Sequence, residues 1–554
     1  MNLANLGLSG MLAAQNRLQT TGHNINNADT EGYNRQTVLT QTAGSVNHGA
    51  GFIGRGVQAV TIQRAYDSFL SRQLIEARSQ GEGLKAYSGQ ISQVDNLFSD
   101  RTVGVSPAIQ KFFDGWQAVA TEPADPAARQ ELIGRADSLV SQLNDANRFL
   151  DEQRENINTQ INTVVKQINS YAERIQDLNQ QIRVARASGN QHEPNDLLDQ
   201  RDQLFAELNE LVDVRGSEQD GNLNLILGSG QVLLGASNVY PLATQPAADD
   251  PRKLAVSYTL PAAAGHAPTT VEVEEHRITG GRLGGLLQYR REALDPAQNE
   301  LGRVAIGIGR AINDVHGQGE DLNNNTGEDF FNMGGPRVIP HGGNDANSPN
   351  LDVRFQSIDG LSGQDYRIEV DEANNQFLVT RLPDNVQLGP LAPNQTHTLE
   401  GLEITLPDVT DVEDGDSWLI QPTRGAAGEI SLAISDPAKI AAADPGTGSA
   451  NGENALRLAA LQSEKTLGGG AMSFNEAYSQ LVNRVGVLTQ QNSTALKAQE
   501  SLIQQNYAAQ QAVSGVNLDE EYVYLDRYQE QFRAASRLID VSSTLFDTVL
   551  GLRA

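Results

Sequence analysis

Apolar residues recur every seven positions through the final stretch of the chain, at Leu518, Leu525, Phe532, Ile539 and Phe546. Tyr528, Ala535 and Val549 make a second row, and Leu538, Leu545 and Leu552 a third. The first stretch keeps the same spacing with smaller residues. Ala4, Met11, Leu18 and Ile25 form one row, with Gly7, Ala14, Thr21 and Ala28 beside it. Side chains seven apart share one stripe of a helix, and such a stripe leaves water only against a partner helix. Both ends therefore read as coiled-coil halves. The Ala4 and Leu518 rows are the candidate assembly interface.

Between the ends the period changes twice. Asn24–Asn34, rich in Asn, Asp and Gly, ends the first helix, which is expected over 1–28. Short strands are expected at Val38–Thr42 and Val57–Ile62 around a glycine-rich loop, then a long helix with Leu70, Ala77, Leu84, Ile91 and Phe98 on one stripe. The clearest coiled coil is expected over 143–186, where Leu150, Ile157, Val164, Tyr171 and Leu178 face one way and Ile161, Ile168, Ile175 and Ile182 lie alongside. Ser188-Gly189-Asn190 breaks it and Pro194 restarts a helix, which predicts a helical hairpin over 143–212. From Gly216 onward, alternation at Leu223, Leu225 and Leu227, then at Val232–Leu234 and Val271–Val273, predicts strands. A helix is expected at 283–316, strands at Tyr366–Val370, Phe377–Thr380, Leu402–Leu406 and Trp418–Ile420, and helices again at 453–462 and 474–511.

The expected fold is mainly α with β-rich insertions: terminal coiled-coil helices, a long-helix bundle domain and an outer β-rich part of one or more domains. The boundaries expected are 1–35 with 515–554 for the terminal pair and 36–216 with 276–334 and 453–514 for the helical domain. The β-rich part takes 217–275 with 335–452. A length of 554 residues suits three or four domains at about 150 residues each.

Charge narrows the functions open to such a chain. With 41 basic against 69 acidic side chains the net charge is −28, which argues against nucleic acid and anionic membranes as partners. No apolar run approaches the ~20 residues that span a bilayer. Cysteine is absent, which fits a chain that leaves the cell without cross-linking on the way. The start, Met1-Asn2-Leu3-Ala4-Asn5-Leu6, shows no basic and long apolar signal segment, so export by a route without a cleaved signal is expected.

Catalytic and metal constellations find little support. Gly49-Ala50-Gly51-Phe52-Ile53-Gly54 matches G-x-G-x-x-G, but a strand follows it where a dinucleotide site needs a helix. Asp321–Gly327 imitates a calcium loop at its first, third and fifth positions, yet Thr326 replaces the turn glycine and Asn332 the bidentate glutamate. None of the histidines lies four residues from another, and no serine sits in a nucleophile elbow. No catalytic, cofactor or metal residue is assigned, and no enzyme is expected.

Several segments carry a resemblance. Ser9-Gly10-Met11 and Asn24–Tyr33 look like the motif shared by flagellar rod, hook and hook-associated proteins. Gly54-Arg55-Gly56-Val57 with Arg64-Ala65-Tyr66-Asp67, the run His316–Asn323 with Phe330-Phe331, and the terminal Val516–Glu521 and Gln529–Ala535 narrow it. The chain resembles the flagellar hook-associated protein 1 family, departing at Asn324 where the family's D-L-N-G-N has glycine. The resemblance implies a non-catalytic part of the bacterial flagellum that joins hook to filament and allows filament assembly. It implies a ring of copies with the terminal helices in an inner tube, and contact with hook protein and with a second hook-associated protein or filament subunits. It further implies an extracellular place in the flagellum after type III export, and a cytoplasmic export chaperone holding the C-terminal helices. Two alternatives stay open: another flagellar axial protein, or a secreted protein whose β-rich outer domain binds a ligand.

Overall fold

The computed structural model describes residues 3–48, 51–99, 104–188, 192–235, 238–260 and 269–552. Gly49 and Ala50 of the glycine-rich stretch, and Gly189 and Asn190 of the expected hairpin break, lie outside them.

Helix α1 (Leu3–Asn26) leads into a ribbon in which β1 (Gln36–Thr42) pairs antiparallel with β4 (Val57–Arg64), and β2 (Ser45–His48) pairs with β3 (Gly51–Gly54) at its tip. Helices α2 (Ser68–Ser99), α3 (Val105–Thr121), α4 (Pro126–Ser188) and α5 (Asn195–Leu211) follow. Helix α4 runs for 63 residues, starting well before the coiled-coil pattern expected from 143. The local reason is a start signal at Asp125, whose carboxylate accepts from the Ala127 and Ala128 amides ahead of the first turn. Pro126 sits at the position where its missing N–H costs nothing.

Strands β5 (Val214–Gln219), β6 (Asn222–Leu227), β7 (Val232–Gly235) and β8 (Asn238–Val239) form one sheet, and β9 (Leu242–Pro246), β10 (Leu254–Leu260) and β11 (Thr269–Glu272) another. Helix α6 (Gly281–Tyr289) passes through one wide turn into α7 (Asp295–His316). The chain then leaves through β12 (Phe331–Asn332) for a β module. This comprises β13 (Arg337–Pro340), β14 (Asp352–Phe355), β15 (Asp365–Asp371), β16 (Gln376–Leu382), β17 (Val386–Leu391), β18 (Thr396–Leu399), β19 (Leu402–Thr405) and β20 (Ser417–Gln421). One sheet has the order β13-β20-β15-β16-β17 and the other β14-β19-β18. Helix α8 (Ala426–Glu429), β21 (Ser431–Leu432), α9 (Glu453–Ala460), α10 (Phe474–Ser514) and α11 (Leu518–Gly551) complete the chain. Among the described residues no helix is long and apolar enough to cross a membrane.

Packing groups these elements differently from the expected division in two places. The buried faces of β6, β7, β9 and β10, among them Leu225, Leu234, Leu242 and Val256, belong to the same core as Ile157, Ile161 and Ile168 of α4. Strands β6, β7, β9 and β10 therefore pack on the helical body, and the 248–250 turn also bonds to the β module, through Gly342, Arg367 and Gln421. The module has its own core around Phe377, Ile404 and Trp418. The 36–64 ribbon, expected with the helical domain, packs on α1. Alternation in a strand sequence says which face is buried and not what buries it.

The run His316–Gly327 is a polar knot at the end of α7. His316 is fully buried between Trp116 and Phe330. Its Nδ1 donates to the Glu328 carbonyl at 2.6 Å, and its Nε2 accepts from the Ala441 amide at 2.8 Å. Only the neutral ring makes both bonds. Nearby, Arg129 donates to the Pro123 and Ile440 carbonyls at 2.6 and 2.7 Å. The Asp321 carboxylate closes its own loop, accepting from the Asn323 and Asn325 amides at 2.7 and 2.8 Å, while Asn324 takes positive φ. Asn tolerates that conformation, so the departure from glycine at 324 is accommodated.

Burial lowers the His316 pKa from 6.5 to about 4. The unfolded chain then binds a proton between those values that the native chain does not, so stability falls as pH drops from about 6.5 to about 4. The full difference is worth about 3 kcal/mol. Urea unfolding at pH 7 and pH 4.5 should show this loss, and His316→Gln, which keeps one donor and one acceptor, should remove that part of it. An unchanged pH dependence in the variant would contradict the assignment.

Candidate assembly interface

The two ends of the chain meet. Helix α11 begins with Asn517 accepting from the Asp519 and Glu520 amides, and Asp519, Glu520 and Glu521 place negative charge where the helix dipole favours it. It runs along α1, and the contact is made by small residues. Gly7, Ala14 and Thr21 are buried on α1, with Ala13, Thr20 and Asn24 beside them. Glu521, Ala535 and Ser542 are buried on α11. At Gly7 the backbones come so close that an added Cβ would lie 2.8 Å from Ile539 Cγ1 and 2.9 Å from the Ala535 carbonyl. The Ala4 amide donates to Ser542 Oγ at 3.1 Å. Arg17 donates to Gln531 at 3.1 Å and lies over the Tyr528 ring.

The rows singled out from sequence therefore flank the seam and do not form its centre. Ala4, Met11, Leu18 and Ile25 are half-buried, as are Leu525, Phe532 and Ile539. Leu518 is exposed, and Phe546 is 61% exposed. The inward row is the neighbouring one, Gly7–Ala14–Thr21, because close helix approach needs small side chains. On α11 the inward row is the second one, Tyr528 and Ala535, which continues at the same spacing to Glu521 and Ser542, two polar residues that a search for apolar ones passes over.

A polar node anchors this pair to the rest of the molecule. Asn24 exchanges hydrogen bonds with the Gln36 backbone, both at 2.9 Å, accepts from Tyr33 Oη at 2.7 Å and donates to Glu521 at 3.2 Å. Arg35 donates to Glu521 at 2.8 Å and its amide to the Ser514 carbonyl at 2.9 Å. On the other side, Asn34 donates to Asp199, and Arg64 pairs with Asp199 at 2.8 Å and Asp202 at 2.7 Å. Burial pushes both aspartates up, with Arg64 working against it. The turn segment, the ribbon, α5 and the start of α11 thus share one network. None of Asn24, Arg35, Arg64, Asp199 or Glu521 was picked out as an interface residue from sequence.

The seam does not cover α11. Leu538, Val541, Leu545, Val549 and Leu550 are exposed, as are Leu8 and Leu12 on α1 and Phe52 and Ile53 at the ribbon tip. Leu538, Val541, Leu545 and Val549 stand three and four residues apart and so share one face of α11. Among the described residues no group of His, Cys, Asp or Glu has the arrangement of a metal site.

Comparison with known proteins places these features in context. Residues 91–331 match the family model described as the flagellar hook-associated protein FlgK helical domain, and residues 2–34 match that of the flagella basal body rod protein. Flagellar hook-associated protein 1 of Salmonella typhimurium is 37% identical over 561 residues, and that of Escherichia coli K12 is 36% identical over 556, each spanning 100% of both chains. The structure of the flagellar hook junction protein FlgK from Burkholderia pseudomallei is similar at a TM-score of 0.73 and 28% identity, covering 80% of this chain and 100% of that one.

Two glycines of α1 should separate seam from surface. Gly7→Val forces α1 off α11 and should cost about 1–3 kcal/mol through overpacking. Gly22, with nothing within 4 Å of an added Cβ, should gain about 0.5–1 kcal/mol as Ala. Limited proteolysis checks both: Gly7→Val should speed cleavage within α1 and α11 and leave the helical body intact, while Gly22→Ala should slow it. Equal cleavage of the two variants would show that the seam is not tightly packed.

Proposed function

Because the chain belongs to the flagellar hook-associated protein 1 family, we propose that the paired helices α1 and α11 are the surface through which it joins its neighbours in the flagellum. The protein is a structural component of the bacterial flagellum at the junction of hook and filament, and it is not an enzyme. There it meets hook and filament components. The finer reading is that copies form a ring, with the terminal pair, about 1–35 with 515–554, lying along the axis and the β module outermost.

One observation carries this reading. The seam uses the small residues of both helices and leaves Leu538, Val541, Leu545, Phe546 and Val549 of α11 facing outward. A monomer with nothing to join would bury them, since apolar surface left in water forgoes about 25 cal/mol per Å². The same residues form the kind of surface that a chaperone holds before assembly, and this supports an export chaperone at α11. Export without a cleaved signal, through the flagellar type III route, belongs to the same reading.

Val541 and Leu545 test it, because both are exposed and lie outside the seam. The double variant Val541→Asp, Leu545→Asp should keep the melting temperature and helical content of the purified monomer. Placed in an assembled contact, the two carboxylates would be buried unpaired, at a cost of several kcal/mol. Cells carrying the variant should show hooks without filaments by electron microscopy and shed filament subunits into the medium. Normal filaments would sink the proposal.

A further inference from the structure

The β module hangs from the helical body by two crossing segments, which run side by side where Arg337 of β13 pairs with Gln421 of β20. Two adjacent strands of this kind would serve as a hinge. Helix α7 prevents it. One face of α7 belongs to the helical core through Leu301, Val304 and Ile308, while Ile306 belongs to the core of the module. Arg310 lies over the Phe355 ring at 5.2 Å, and an added Cβ at Gly302 would run into the Thr423 carbonyl.

Beside this contact sits a buried ion cluster drawn from five segments of the chain. The Arg424 guanidinium, 3% exposed, pairs with Asp365 of β15 and lies 3.4 Å from Asp295 and 3.8 Å from Asp250. Its Nε donates to Asn299 Oδ1 at 3.0 Å, and Asn299 Nδ2 donates to Asp365 at 3.1 Å. Asp295 also pairs with Lys253 at 2.6 Å and with Arg154 of α4 at 3.3 Å. Asp151 lies 3.8 Å from Arg154 and 2.9 Å from Arg252 at the edge of the cluster, so four carboxylates meet four cations. Burial pushes the Asp295 carboxyl up, but Arg424, Lys253 and Arg154 outweigh it and hold it well below the usual carboxylate range.

We propose that this cluster is a conformational lock that makes the β module and the helical body one rigid unit. Buried ion pairs add little net stability over apolar packing, but they specify geometry, because any rotation of the module strands a charge away from water. The apolar contact at Ile306 tolerates sliding. The cluster does not.

The absence of cysteine lets the lock be tested in the full chain. Spin labels on Ala373→Cys in the module and Gln490→Cys on α10, both exposed positions, report the distance between the two parts. With the cluster intact, electron–electron double resonance should give one narrow distribution. The pair Asp365→Asn, Arg424→Gln removes one charge of each sign and keeps the rest balanced, and it should broaden the distribution at least twofold. Emission of Trp418, read in a Trp116→Phe background, should stay that of a buried indole, showing that the module itself remains folded. Should the double variant lose that emission, Asn299→Ala removes only the bridging amide and should broaden the distribution without unfolding the module. A broad distribution in the unaltered chain would overturn the lock. So would a distribution that stays narrow in whichever of these variants keeps the module folded.

Discussion

Residue 7 lies against residue 535, and the rest of the molecule follows from that contact. A chain whose two ends pair as helices must travel outward and return, so everything between them is nested as insertions along one long path. The contact is possible because the residues buried along it, Gly7, Ala14 and Thr21 on α1 and Ala535 and Ser542 on α11, have small side chains. Larger residues on the facing rows would hold the helices apart and consume the apolar surface that the outer rows keep for neighbours. A seam of small side chains buries little area, so the pair relies on the polar node at its base to fix its direction.

Polar groups recur wherever two parts of this molecule join. Glu521 with Asn24 and Arg35 ties the terminal pair to the turn and ribbon. Arg64 with Asp199 and Asp202 ties the ribbon to α5. His316 and Arg129 cap backbone groups where α7 meets α3 and α4, and the Arg424 cluster joins the β module to α7. Within each part the core is apolar and fills space by shape. At the joints the molecule uses directional bonds and paired charges, whose energy depends steeply on geometry.

The sequence by itself determined most of the long helices and several strands in their order, though not α3, β9, β10, β13, β14, β17 or β18. Heptad rows marked α1, the long α2, α4 and α11, and alternation marked β6, β15 and β16, because each helix or strand advertises one buried face. It also determined the kind of protein, through the segments around Asn24, His316 and Glu521. The tertiary structure decided which row faces inward. The Ala4 row is the more apolar of the two, and only the close approach of the backbones selects the smaller Gly7 row. It decided that β6, β9 and β10 lie on α4 and that β1 and β4 lie on α1, since a strand's pattern does not name its partner. Above all it assembled Arg154, Asp250, Asp295, Asp365 and Arg424 into one cluster. In the sequence each is an ordinary charge on a polar face, because a buried ion pair becomes visible only when folding brings distant segments together and shuts the water out.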